Sequence, residues 1–141
     1  MVGILDISKA AIPIYIANQY FALDWQKALI ALSPVLGHVF PVWLKFKGGK
    51  AISTIFGSIL ILLGIKYSFI FLLAWIVCLC LIKIMSLTNL IIILFIPLMF
   101  WFKTHSTVYV VLGIIYIIIA YYAHRENIKR LRQGTEPKII K

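Results

Sequence analysis

The fold class predicted by this sequence is an all-α, polytopic integral membrane helix bundle of about six spans, one or two of them short or broken. Three observations carry that expectation. Hydrophobic residues make up 63% and charged residues 13%, where a soluble domain has about 45–50% and about 25%. Apolar runs recur along all 141 residues, so neither a soluble domain with one anchor nor a cleavable leader accounts for them. Charges collect between the runs, fourteen Lys and Arg against four Asp and Glu, for a formal net charge of +10. In a soluble protein such an excess suggests nucleic acid. Between apolar spans it reads instead as the preference of Lys and Arg for the cytoplasmic side, and no nucleic-acid partner is expected.

A helix needs about 20 apolar residues to cross the hydrocarbon, fewer where lipid or protein adapts. The predicted spans are Ile7–Leu23, Gln26–Leu44, Ala51–Leu63, Tyr67–Ile82, Leu87–Phe102 and Thr107–Ala123. The third is short, about 20 Å at 1.5 Å per residue. Charge parity still favours breaking the chain at "GIKYS" over one long helix from Ala51 to Ile82. Six spans place Lys9, Lys45, Lys47, Lys50, Lys83, Arg125, Lys129, Arg130, Arg132, Lys138 and Lys141 on one side. Only Lys27, Lys66 and Lys103 fall on the other, which fits a cytoplasmic first side and a multi-pass protein of the cell (inner) membrane. Residues 1–123 form the bundle, and 124–141 a basic cytoplasmic tail of the same domain.

Cys78 and Cys80 sit in an apolar run and act as small apolar groups. His38, His105 and His124 belong to separate segments, so no metal motif and no cofactor are expected.

The chemistry-bearing residues share the basic side. In "GHVFPVWLKFKGGK", Gly37 to Lys50, Pro34 just upstream and Pro41 can bend the second span. Gly37 allows a close neighbour. His38 is an ionisable group near a span end, which marks a site or a hydrogen bond to a neighbouring helix carbonyl. Gly48 and Gly49 can aim successive amides into one concavity, with the helix from Ala51 adding its positive end and Lys47 and Lys50 flanking it. The other reading is a tight turn with topogenic lysines. In "HRENIKRLRQGTE", helical spacing puts His124 and Asn127 on one face, Glu126 and Arg130 in i,i+4 register, and Glu136 where it can orient a cation. The plainer account is a solvated basic tail.

Taken in order, "LDISK", "GHVFPVWLKFKGGK", "SLTN" and "HRENIKRLRQGTE" resemble the bacterial acyl-phosphate:glycerol-3-phosphate acyltransferases, the PlsY family. The resemblance implies transfer of a fatty acyl group from acyl phosphate to glycerol 3-phosphate, releasing phosphate and giving lysophosphatidic acid for phospholipid synthesis. It implies substrate-phosphate binding by Lys47, Gly48, Gly49 and Lys50, and a catalytic group of His124, Asn127 and Glu136. His38 and Ser86 are expected to line the pocket. Because acyl phosphate is already activated, alignment and stabilisation of anionic oxygens suffice, without a covalent enzyme intermediate.

The family pattern also has an earlier span and a loop of the form G-S-G-N-x-G-A-T-N with a nearby Arg, which nothing in these residues matches. One wall of the site is therefore expected from outside the given sequence, a separate chain being one source. Ala10 and Ala51 stand where the family has glycine, and Ala51 is expected to be strained if its φ is positive. The alternative functions are an inactive, shortened homologue acting as an anionic-lipid-binding or assembly subunit, and a small transporter suggested by the interruptions near Pro34 and Gly64.

Overall fold

The computed structural model describes residues 2–46 and 48–139. Among these residues the chain is all helical: α1 (Val2–Tyr20), α2 (Asp24–Val39), a 3-10 turn (Val42–Leu44), α3 (Ile52–Leu62) and α4 (Ile65–Ile82). There follow α5 (Met85–Ile92), which continues through a 3-10 turn (Ile93–Phe95) into α6 (Ile96–Thr104), then α7 (Thr107–Ala123) and α8 (Arg125–Arg132). Each of the six predicted spans is met by a helix. By length and composition alone, Ile65–Ile82 and Met85–Thr104 suffice to cross a membrane, and Thr107–Ala123 does so together with Arg125–Arg132, from which it is bent by 63°. The remaining helices are shorter or carry more charge.

The boundaries follow local chemistry. The second span ends at Val39 rather than Leu44, because Phe40 precedes Pro41 and a residue before proline is pushed out of the helical region. Gly64, at φ 84°, makes the break between α3 and α4 predicted at "GIKYS". The eleven residues of α3 make it the short span.

Packing runs from α1 onto α3 and α2, from α2 onto α7, and from α7 onto α6. The core contains Ile14, Ala31, Val35, Ile55, Ile59 and Tyr116, all fully buried or nearly so. Lipid tails are as apolar as leucine, so helices associate through close backbone approach and hydrogen bonds rather than by escaping water. Gly57 on α3 lies against the backbone of α1, and Gly113 on α7 against Pro97 on α6. Tyr116 donates to the Ala31 carbonyl at 3.0 Å, Tyr121 to Leu90 at 3.2 Å, and Trp75 Nε1 to Asn89 Oδ1 at 2.8 Å, each tying two helices. Such bonds contribute about 0.6 kcal/mol each in membrane bundles. Most of α4 is exposed, including Phe69, Ile70, Leu73, Val77 and Leu81. A surface this apolar belongs against lipid.

Gly37 has no neighbour within 4 Å of a built Cβ, so the close approach expected there is absent. Gly57 is where one occurs: a methyl would overlap the Ile7 carbonyl oxygen and lie 3.1 Å from Ala10 Cβ. Gly57→Ala is expected to destabilise by about 1–3 kcal/mol, because backbone cannot move aside cheaply. Gly37→Ala, at an open helical position, is expected to be neutral or to stabilise by up to about 1 kcal/mol. Thermal unfolding of the two variants in detergent checks the contrast.

Candidate active site

The segment after α2 folds back onto the helix it has just left. Lys45 and Phe46 take left-handed backbone angles, φ 52° and 60°, and turn the chain around. Lys47 lies outside the described residues. Gly49 N–H then donates to the His38 carbonyl at 3.0 Å, planting the loop on the end of α2. A Cβ at position 48 would overlap the His38 carbonyl oxygen and lie 2.5 Å from that of Val39; one at position 49 would overlap the His38 imidazole. Gly49 has no positive φ. Space is what requires both glycines here. The amide of Gly49 is also already bonded, so the expected cradle of two open glycine amides is not what forms.

The open donors come from α3. Its first intrahelical bond is from Ile55 N–H to the Ala51 carbonyl, 2.8 Å. That leaves the N–H groups of Ile52, Ser53 and Thr54 without helical acceptors, at the positive end of the helix dipole. Ala51 caps the helix at φ 65°, ψ −4°, the positive φ that makes alanine strained, at about 1–2 kcal/mol. Its methyl is nonetheless buried. Lys50 stands exposed beside this terminus, near enough for its charge to act on the ring of His124.

His124 joins α7 to α8 and is fully buried. Its Nδ1 lies 2.8 Å from the Ala120 carbonyl oxygen. A carbonyl only accepts, so the neutral ring carries its proton on Nδ1 and presents Nε2 as an acceptor. That Nε2 is buried and unpartnered among the described residues, as are Thr54 Oγ1 and Ser86 Oγ. Of the three, His124 Nε2 is the one acceptor able to take a proton from a substrate group.

Asn127, one helical turn beyond His124 and 4% exposed, is fixed by the tail. It donates Nδ2–H to Glu136 Oε1 at 2.5 Å, while Arg130 Nε donates to Glu136 Oε2 at 2.7 Å. Arg130 thus pairs with Glu136 and not with Glu126 as expected. Both oxygens of Glu136 are engaged, which suits a clamp holding Asn127 in place. Burial alone would push the Glu136 carboxyl up; the hydrogen bonds from Asn127 and Arg130, the nearby Ser86 hydroxyl and the Arg130 charge outweigh it and bring its pKa down to about 2. Ser86, 2% exposed, lies close enough to help hold that charge. Ile139 N–H donates to the Lys83 carbonyl at 2.9 Å and seats the tail on the end of α4.

All these groups gather at one end of the bundle. At the other end Lys103 stacks over Tyr67, 5.9 Å from the ring centroid, and Tyr109 meets Asp24. From the first turn of α3 an apolar groove of about 270 Å³ runs between α1, α3 and α4, lined by Ile7, Ile52, Ser53, Phe56, Phe71 and Trp75 among others. The structure therefore assembles Gly48, Gly49, Lys50, His38, Ser86, His124, Asn127 and Glu136. Sequence reasoning passed over Thr54, Arg130 as the partner of Glu136, and the pair Asp6 and Lys9 beside His38. Only the last had a local signal, an acid and a base three residues apart within an apolar run.

Fold and site together define a helical integral membrane protein whose basic end offers cations and open amides to an anion. The glycerol-3-phosphate acyltransferase family model matches residues 1–134, and the chain belongs to that family. It is 34% identical to the glycerol-3-phosphate acyltransferase of Parasynechococcus marenigrum over 99% of its own length and 65% of that protein's. It is 37% identical to that of Pelagibacter ubique, over 96% and 68%. The crystal structure of PlsY (YgiH), an integral membrane glycerol 3-phosphate acyltransferase, in its glycerol 3-phosphate form superimposes with a TM-score of 0.89 at 30% identity, covering 97% of this chain and 68% of that one. A lysophosphatidic acid form matches equally, with a TM-score of 0.89. The chain thus spans about two thirds of the length of these relatives.

The clamp has a pH signature. A carboxyl lowered from 4.5 to about 2 on folding contributes stability that is complete above about pH 4.5 and is lost as pH falls through about 2. The thermal midpoint of the native protein is expected to exceed that of Glu136→Gln by a constant margin above pH 4.5, the margin shrinking toward pH 2. Circular dichroism melts in detergent across that window check it.

Proposed function

We propose that this chain carries out, or forms the main part of, the transfer of an acyl group from acyl phosphate to glycerol 3-phosphate at the cytoplasmic surface of the cell (inner) membrane. The observation that carries this reading is Lys50 beside the open N-terminus of α3, its charge reaching the His124 ring, with an apolar groove running from the first turn of that helix. A water-soluble phosphomonoester and a lipid-borne acyl donor need such a boundary between charge and hydrocarbon. The excess of Lys and Arg at this end supports the cytoplasmic assignment.

In this reading Lys50 and the α3 amides hold phosphate oxygens. The hydroxyl of glycerol 3-phosphate gives its proton toward His124 Nε2 as its oxygen attacks the acyl carbonyl carbon. The carbon–oxygen bond to phosphate breaks, and phosphate leaves with that bond's electron pair. Asn127, held by Glu136, keeps its remaining amide valences for the substrate. The acyl chain lies along the groove toward Phe56 and Phe71, whose rings meet at 6.1 Å.

The purified chain, offered acyl phosphate and glycerol 3-phosphate in detergent, is expected to form lysophosphatidic acid above a Lys50→Ala/His124→Ala control. Product no greater than the control would overturn the reading. Singly, Lys50→Ala is expected to raise KM for glycerol 3-phosphate tenfold or more, since a charged hydrogen bond contributes about 1.5–3 kcal/mol. His124→Gln is expected to lower kcat by roughly 10²–10⁴, the range for a general base.

A further inference from the structure

One cluster at the basic end has no part in the scheme above. Asp6 and Lys9 lie one turn apart on α1, and Lys9 Nζ donates to Asp6 Oδ1 at 2.7 Å. The same ammonium lies 2.5 Å from His38 Nδ1 on α2, which is 3.5 Å from Asp6 Oδ1. Ions inside a helix of a membrane bundle are costly and persist where they are paired and used. An exposed topogenic lysine has no reason to reach a histidine on another helix.

The contact fixes the histidine's proton. An ammonium has three donors and no acceptor, so His38 Nδ1 must offer its lone pair, and the neutral ring carries hydrogen on Nε2. The position of that nitrogen is equally constrained. It packs over Gly49 so tightly that a Cβ there would overlap it. It has no hydrogen-bond partner among the described residues. His38 is thus the converse of His124: one ring points a donor at the glycine loop, the other keeps a buried acceptor within reach of the Lys50 charge.

We propose that Asp6 and Lys9 are positioning residues that hold His38 as an Nε2–H donor to an oxygen of the substrate phosphate at the Gly48–Gly49 loop. Asp6 aims the Lys9 ammonium, Lys9 sets the tautomer, and the ring adds a third kind of donor to Lys50 and the α3 amides. The identity of the phosphate rests on the proposed acyl transfer; the tautomer does not.

The test uses the full chain labelled with ¹⁵N-histidine in detergent at pH 8, with His38→Gln assigning the signal. The expected spectrum shows His38 as the Nε2–H tautomer, converted to a mixture in Lys9→Met and restored in Lys9→Arg. Glycerol 3-phosphate is expected to move the His38 Nε2 signal, a readout that needs no turnover. An Nδ1–H tautomer in the native protein, an unchanged tautomer in Lys9→Met, or a His38 signal unmoved by glycerol 3-phosphate would each overturn the proposal. Should Lys9→Met fail to fold, the native tautomer and the ligand shift still decide. In turnover, Lys9→Met is expected to raise KM for glycerol 3-phosphate roughly tenfold, the loss of one hydrogen bond to a charged group, with kcat nearly unchanged. A fall in kcat alone would count against it.

Discussion

The close seat of Gly48 and Gly49 on the end of α2 is the contact on which the rest of the site depends. Two residues without side chains let the loop lie against the carbonyls of His38 and Val39 and against the His38 ring. From that anchor the chain has only Lys50 and Ala51 before α3 begins, so the helix terminus and the Lys50 charge are placed by the loop's contact with α2. Ala51 accepts a left-handed angle to make the turn. Strain of this kind persists where surrounding structure over-determines it, and here α2 on one side and α3 on the other do so.

The site is divided between two sets of helices. The α1–α2–α3 side supplies cations and donors: Lys9, His38, Lys50 and the first amides of α3. The α5–α7–α8 side supplies acceptors and a fixed amide, with His124 bonded to its own helix and Asn127 held by Glu136 and Arg130. Tyr116 reaching Ala31, and the packing of α2 on α7, join the two sides deeper in the bundle. A substrate with an anionic end and a hydroxyl end is matched by that polarity. The tail, which by composition alone passes for a solvated basic segment, is built into the acceptor side by Glu136.

How much of this was legible in the sequence varies with the range of the interaction. Long apolar runs fixed the six helices, and the shortness of α3 and its break before α4 followed from thirteen residues and "GIKYS". The strain at Ala51 was legible because the family resemblance implies glycine there, with its freedom at positive φ. Ends of elements were less so: α2 stops five residues early because Phe40 cannot stay helical ahead of Pro41. What the sequence left open was pairing at a distance. Arg130 has Glu126 in helical register yet turns to Glu136, because only the latter is brought under Asn127 and Ser86 in a buried setting. Gly37 was read as a contact and is open, while the real approaches occur at Gly57 and Gly113. The Lys9–His38 bond joins residues 29 apart on different helices, and no local period announces it.

The central claim is that Lys50, at the α3 terminus, grips the phosphate of glycerol 3-phosphate. The most direct measurement is ¹⁵N–³¹P dipolar recoupling between lysine ammonium nitrogens and glycerol 3-phosphate bound to the bilayer-reconstituted chain. A charge-assisted contact, about 2.7–2.9 Å from nitrogen to oxygen, should give strong dephasing that drops in Lys50→Met. Dephasing undiminished in that variant, or none in the native protein at saturating ligand, would contradict the account.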